Sequence, residues 1–332
     1  MHMLLLCNPV SGGGTSVRTA EGLVEPLRAA GHEPRLVHTQ RGPTATWLAP
    51  LLAGVELLVV VGGDGTVRLA APEAAAAGVP VYQFPSGTEN LFARGWGMNR
   101  RIATLLRTLA HGKRVAVDLG AARVVAADGT EQAREAFLLM ASVGLDAEVV
   151  HDLSSTRGHR ISHLSYLRPM LRQVLSYVPA RLRVEVDGRR IDGGGAAGAR
   201  GFAIVANARQ YALRLDPLPM ASMTSGMLET AFFPTESVSD LLGWATHLML
   251  GTHLDEHDLR HASGRSVVLS SETPFRFQVD GDAPANPTPT CRLELGLEPH
   301  RMPVLAPPQR RAAQTERSAP STLSSQPDPM RG

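Results

Sequence analysis

Lysine is nearly absent from this chain: of its 33 basic residues only Lys113 is a lysine. No Gly-Lys-Ser/Thr can therefore occur, which excludes a Walker A loop. A Schiff-base or catalytic lysine would have to be Lys113, in the stretch His111-Gly112-Lys113-Arg114, which carries no catalytic pattern. Any ATP site must hold phosphates with backbone amides, arginine and a metal ion. Cysteine is also scarce. Cys7 and Cys291 are too few for a disulfide framework and fit a reducing compartment. No apolar run approaches the ~20 residues of a spanning helix. Leu4-Leu5-Leu6-Cys7 mimics a lipoprotein cleavage box, but the residues before it are too few for a signal peptide. Excess charge is missing as well: the formal net charge is +2, so no basic field argues for nucleic acid. From Pro307 onward Arg310, Arg311, Arg317 and Arg331 face only Glu316 and Asp328, which leaves the rest about neutral. The expectation is a cytosolic protein.

What is present centres on Val60-Val61-Gly62-Gly63-Asp64-Gly65-Thr66. The run Val55 to Val61 has no period-two alternation and predicts a fully buried parallel strand. Val67 to Ala77, closed by Gly78, predicts a helix with its C-cap. A glycine turn between strand and helix lets backbone amides approach a phosphate, and the helix N-terminus adds partial positive charge there. Asp64 would repel phosphates unless a cation intervenes, which points to Mg²⁺ between Asp64 and a nucleotide. The same residues also suit a plain tight turn. The rest of the first third repeats the theme. A strand Met3 to Cys7 precedes Asn8-Pro9-Val10-Ser11-Gly12-Gly13-Gly14-Thr15 and a helix to about Ala30. A strand Pro34 to His38 precedes Thr39 and a helix over Thr44 to Ala53. A strand Val79 to Phe84 precedes Pro85-Ser86-Gly87-Thr88-Glu89-Asn90 and a helix from Leu91 that includes Arg94. This alternation predicts a parallel sheet with right-handed crossovers and ligands at the carboxyl ends of its strands. The glycine turns and Thr39 all fall at that edge.

After Arg114 the pattern changes to short strands with turn signals. Arg114 to Ala127 and Glu135 to Val143 around Asp128-Gly129 predict a hairpin. Arg181 to Val186, Gly201 to Ala206, Met227 to Phe233, Ser266 to Ser270 and Phe275 to Val279 continue a sandwich-like domain. Helices are expected at Ser162 to Tyr177 and Ser237 to Leu250, with a short strand Met302 to Leu305 returning to the first domain. The expected organisation is an α/β nucleotide-binding domain over 1–118, a β-rich domain over 119–300, the return strand at 301–305 and a disordered tail over 306–332.

Five motifs in register, Asn8-Pro9…Ser11-Gly12, Gly62-Gly63-Asp64-Gly65-Thr66, Pro85…Gly87-Thr88…Asn90, Gly144…Asp146-Ala147 and Gln278-Val279-Asp280-Gly281-Asp282, resemble the diacylglycerol kinase catalytic family. The resemblance is closest to its bacterial lipid kinases and their sphingosine- and ceramide-kinase relatives. It implies an α/β domain holding ATP, a C-terminal β-sandwich and an active site between them. The implied nucleotide-binding residues are Asn8, Thr39, Gly62, Gly63, Asp64, Gly65, Thr66, Arg68, Gly87, Thr88 and Asn90. Asp64 would carry Mg²⁺, and Asp282 would be the base toward a lipid hydroxyl, in a position where relatives have the longer Glu. A membrane lipid substrate and peripheral membrane contact follow from the same likeness. An NAD-kinase-like activity and a non-catalytic nucleotide or lipid sensor are the alternatives. Two stretches depart from the family pattern. Ser225-Gly226-Met227-Leu228-Glu229 begins with Ser where relatives place an Asp that binds a structural magnesium, which argues against that second ion. Tyr211-Ala212-Leu213-Arg214-Leu215 replaces a glycine segment. Outside the motifs, His253, His257 and His261 are spaced for one helical face, either as metal ligands or as a solvated helix end. The predicted helix Ser162 to Tyr177 has a leucine stripe suited to a core or, alternatively, to a bilayer surface.

Overall fold

The computed structural model describes residues 1–10, 14–155, 177–210 and 215–308. The first part runs β1 (His2–Cys7), α1 (Thr15–Ala29), β2 (Glu33–His38), α2 (Thr44–Trp47), β3 (Leu57–Gly62), α3 (Asp64–Ala77), β4 (Val81–Pro85), α4 (Leu91–Gly95), α5 (Ile102–His111) and β5 (Lys113–Val117). Next come β6 (Gly120–Val125), β7 (Glu131–Phe137), β8 (Met140–Val143), α6 (Leu145–Ser155), β9 (Arg181–Val186), β10 (Arg189–Arg190), β11 (Ala199–Ala206) and β12 (Leu228–Pro234). The remainder is α7 (Val238–Leu250), β13 (Arg260–Gly264), β14 (Ser266–Phe275), β15 (Gln278–Val279), β16 (Thr290–Leu297) and β17 (Met302–Ala306).

The first sheet has the order β2-β1-β3-β4-β17-β5. All its neighbours are parallel except β5, which runs antiparallel to β17. Every residue of β3, Leu-Leu-Val-Val-Val-Gly, is buried, as expected of a strand covered on both faces. Helix α3 packs against this sheet through Ala70, Ala71 and Ala74, whose short side chains let helix and strands come close. Gly78 ends it in the left-handed region at φ 64°, where glycine carries no steric cost. The helix expected over Thr44 to Ala53 is instead two pieces, α2 and a 3₁₀ turn Ala49–Leu52. Pro50 has no amide hydrogen and its ring crowds the preceding turn, so the α-helix stops before it.

The second sheet is antiparallel, in the order β13-β12-β11-β9-β14-β16-β6-β7, with β8 joining β11 to β15. Chain segment 114–127 is not the single hairpin arm expected. Residues 113–117 close the first sheet and 120–125 open the second, with the turn at Asp118 and Leu119. The other arm divides too, since β7 pairs with β6 while β8 pairs with β11 and β15. α7 begins with a capping box between Ser237 and Asp240. Leu119, Leu138, Leu139, Ala208 and Met223 belong to the same apolar core as β1, β3 and β4, so the two halves share buried surface. Helix α3 lies at that junction, packed against both β17 and β7. Among the described residues no helix is long and apolar enough to cross a membrane. The predicted helix over 162–177 falls, except for residue 177, outside the described residues, as does the tail beyond 308.

Candidate active site

Strand register brings the expected loops to one edge. Cys7 pairs with both His38 and Val61, and Gly62 pairs with Pro85, so the chain leaves β1, β2, β3 and β4 at the same level. Asn8, Thr39, Gly63 and Ser86 therefore begin neighbouring loops. The Thr39 amide extends the ladder by donating to Cys7 O at 2.9 Å. Asn8 turns inward on its own loop, accepting from the Val10 amide at 3.1 Å and, through its carbonyl, from the Ser16 hydroxyl.

The glycines let two loops touch. A Cβ on Gly87 would lie 2.7 Å from Gly63 Cα, and one on Gly62 would lie 2.6 Å from Thr66 Oγ1. Real Cβ contacts do not come that close, so Gly87 is needed for the two loops to meet and Gly62 for Thr66 to fit in the first turn of α3. The Gly62 carbonyl accepts from the Ser86 amide and from Gln83 Nε2, each at 3.1 Å. Asn90, buried and at φ 50°, holds Gly87 from both sides: its Oδ1 accepts the Gly87 amide at 2.9 Å and its Nδ2 donates to the Gly87 carbonyl at 2.7 Å. Arg100 braces the same loop by donating to the carbonyls of Pro85 and Gly87 at 3.1 and 2.9 Å. Thr88 is exposed at the loop tip. Three polar atoms beside these loops, Gln83 Oε1, Ser86 Oγ and Arg68 Nε, are buried without a partner among the described residues.

Asp64 opens α3, and its carboxylate spans to the start of α4, accepting the amides of Leu91 and Phe92 at 2.9 and 3.0 Å. Asp64, expected only as a nucleotide and metal contact, thus also ties two glycine-loop helices together. Burial pushes its carboxyl up, against the two amides and Gln83, which pull it down. With the two amides and Gln83 as donors, the carboxylate still keeps acceptor capacity. A hard cation that keeps waters and phosphates as its other ligands needs only one or two carboxylates, so Asp64 fits Mg²⁺ arriving with a nucleotide. Among the described residues no group of three His, Cys, Asp or Glu could hold a metal unaided.

The second sheet delivers the partner acid to the same place. Val279 and Asp282 exchange two backbone hydrogen bonds, at 3.0 and 2.9 Å, around Asp280 at φ 51° and Gly281 at φ 82°. Positive φ at both central residues is a type I′ turn, which explains the Asp-Gly pair. Asp280 is half-buried and accepts three amides, Leu138 and Leu139 at 2.7 Å and Met140 at 2.9 Å. Burial pushes its carboxyl up to about 6 against Arg68 and these amides. Gln278 secures the other side of the turn, accepting the Gly281 amide at 2.6 Å and donating to Ser142 Oγ at 2.6 Å and Asp146 at 3.3 Å. The Gly144…Asp146 and Gln278…Asp282 motifs are thus one hydrogen-bonded unit. Its product is the placement of Asp282: a Cβ on Gly65 would lie 3.1 Å from Asp282 Oδ2.

Arg68, expected at the nucleotide, reaches across the junction from α3. Its guanidinium is 3.2 Å from Asp282 Oδ2 and 3.7 Å from Glu135 Oε2 on β7. Arg68 is only 16% exposed and Asp282 29%, so this pair is better shielded than a surface ion pair. Glu135, Gln278, Asp280 and Arg100 were not singled out as site residues by the sequence. Ser225 Oγ donates to its own loop at Ser222 O, 2.9 Å away. Beside it Asp118 accepts the Gly226 amide at 2.7 Å and pairs with Arg301 at 2.9 Å. Tyr211 to Arg214 lie outside the described residues. The three histidines share no helix, because His253 is in a short 3₁₀ turn and His261 on β13.

Two family models match consecutive parts of the chain. The diacylglycerol kinase catalytic domain covers residues 2–122, and the YegS C-terminal NAD kinase beta sandwich-like domain covers 139–306. A diacylglycerol kinase of Mycobacterium tuberculosis is 26% identical over 306 residues, 91% of this chain and 94% of that protein. An uncharacterized Synechocystis protein is 22% identical over 76% of this chain and 55% of its own length. Crystal structures from Bacillus anthracis share the fold. One, provisionally described as a diacylglycerol kinase, has a TM-score of 0.70 at 20% identity and covers 92% of this chain and 95% of its own. Another, described as a diacylglycerol kinase, has a TM-score of 0.60 at 17% identity, covering 92% and 97%. With its α/β domain, its β-sandwich and the motifs of both in order, the chain belongs to the diacylglycerol kinase catalytic family.

Proposed function

We propose that the protein transfers the γ-phosphoryl group of ATP to a hydroxyl of a membrane lipid. The observation that carries this reading is the meeting of Asp282 with Gly65: an acid from one sheet lies against the phosphate loop of the other. In this reading the first-turn amides of α3 and the loops of residues 62–66 and 85–90 orient the triphosphate. Mg²⁺ held at Asp64 supplies charge neutralisation on the phosphates. Asp282 accepts the proton of the lipid hydroxyl as its oxygen bonds to the γ-phosphorus and the bond to the β,γ-bridging oxygen breaks. Arg68 holds Asp282 at 3.2 Å and fixes its direction. Asn90 and Arg100 keep the Gly87 loop against Gly63 and act as positioning residues. Reaching an acyl-chain lipid requires peripheral contact with a bilayer from the cytoplasmic side.

The test is transfer of labelled phosphate from ATP to a panel of diacylglycerol, ceramide and sphingosine in mixed micelles, with NAD as a soluble comparison. Labelled lipid with NAD unlabelled is the expected result. Labelled NAD with no labelled lipid would transfer the assignment to the soluble-metabolite reading.

A further inference from the structure

Past β4 the first sheet continues to β17 and β5, and an open cleft of about 1070 Å³ lies at that end. Arg94, Arg101, Arg107 and Lys113 line it, and Trp96 and Val115 form part of its apolar wall. Among the described residues no acidic one lines it. Arg94 has Glu89 at 3.8 Å, while among the described residues no carboxylate pairs with Arg101, Arg107 or Lys113. Arg123, Arg134, Arg183 and Arg276, by comparison, each have a carboxylate within 3.3 Å. In a chain with a formal net charge of +2, four cations around one cleft are a local concentration of positive charge. They repel one another and gain most from a counter-charge supplied from outside. Arg100, in the same turn, directs its guanidinium instead to the carbonyls of Pro85 and Gly87. None of the lining residues belongs to the glycine loops or to the Asp280-Gly281-Asp282 turn.

The guanidinium fork matches phosphate oxygens two at a time, and the ammonium of the chain's single lysine adds a point charge beside it. Trp96 and Val115 offer an uncharged wall to the rest of the ligand. We propose that this cleft binds a phosphate-bearing organic anion, the chemistry shared by an anionic phospholipid headgroup and a free organic phosphate. The inference stands on the cleft alone and does not depend on the catalytic reading.

The experiment uses the full chain and two variants, Arg101→Ser/Arg107→Ser/Lys113→Ser and the single Arg107→Glu. All three positions are exposed, so folding is not at stake. Cosedimentation with phosphatidylcholine vesicles, with and without phosphatidylglycerol, is read at low salt, and sn-glycerol 3-phosphate is titrated calorimetrically. The wild type should bind at least one anionic probe, with a loss on the order of 100-fold in the triple variant and about 10-fold in Arg107→Glu. A loss confined to vesicles identifies the lipid headgroup as the source. A loss toward both probes shows that a free phosphate suffices. Equal binding by wild type and both variants, or no binding of either probe by the wild type, would overturn the proposal.

Discussion

Gly65 sets the finest tolerance in the candidate site. A methyl group there would meet Asp282 Oδ2 at 3.1 Å, and no positive φ is recorded at this position, so alanine strains no backbone. Gly65→Ala should therefore fold normally and shift the Asp282 carboxylate by a few tenths of an ångström or more. Because displacements near 1 Å cost on the order of 100-fold, turnover should fall by roughly 10-fold. A kcat equal to wild type would show that Asp282 is not held where the chemistry occurs. Asp64 makes the opposite case, a residue with a structural and a chemical duty. Asp64→Ala leaves the Leu91 and Phe92 amides without acceptors, so a loss of about 1–3 kcal/mol of stability is expected alongside loss of turnover. Denaturant unfolding of this variant separates the two effects. Unchanged stability would mean that water replaces the carboxylate at the α4 amides.

At the scale of elements, the I′ turn at Val279 to Asp282 depends on Asp280, which fastens it to residues 138–140. Its carboxyl is raised to about 6 in the folded protein, against an ordinary value near 3.9. Between those two pH values the folded chain keeps a proton that the unfolded chain has released. Stability from this group is thus fully present below pH ~4 and is lost as pH rises through 6. Asp280→Asn cannot titrate, so wild type minus variant should show a stability difference that shrinks with rising pH across that window. A difference that is flat from pH 4 to 7 would contradict the assignment. Other elements explain how far the sequence could be read. The strand–loop–helix alternation placed the glycine turns at the carboxyl edge, because burial and β-branching are local properties of β1, β3 and β4. Pro50 broke the helix expected over 44–53, a local signal that was present but overlooked. The split of 114–127 between two sheets left no local mark, since both halves are extended.

For the whole molecule, the informative contacts are the distant ones. Arg68 and Asp282 are 214 residues apart, and Asp64 and Leu91 are 27 apart. Composition and periodicity carry no record of such pairings, which is why Arg68 and Asp64 are expected from the sequence only at the nucleotide and its metal. The family motifs identified Asp282, but not the support it receives from Gln278, Asp280 and Arg68. In the proposed function the two halves enclose one site, with the nucleotide on the first sheet and the proton acceptor on the second. The most direct measurement is phosphoryl transfer to lipid by Asp282→Asn, together with ATP affinity of the same protein. The substitution keeps shape and removes basicity, so kcat should fall by ~10²–10⁴ while ATP binding changes little. Lipid turnover by Asp282→Asn at the wild-type rate would contradict the account.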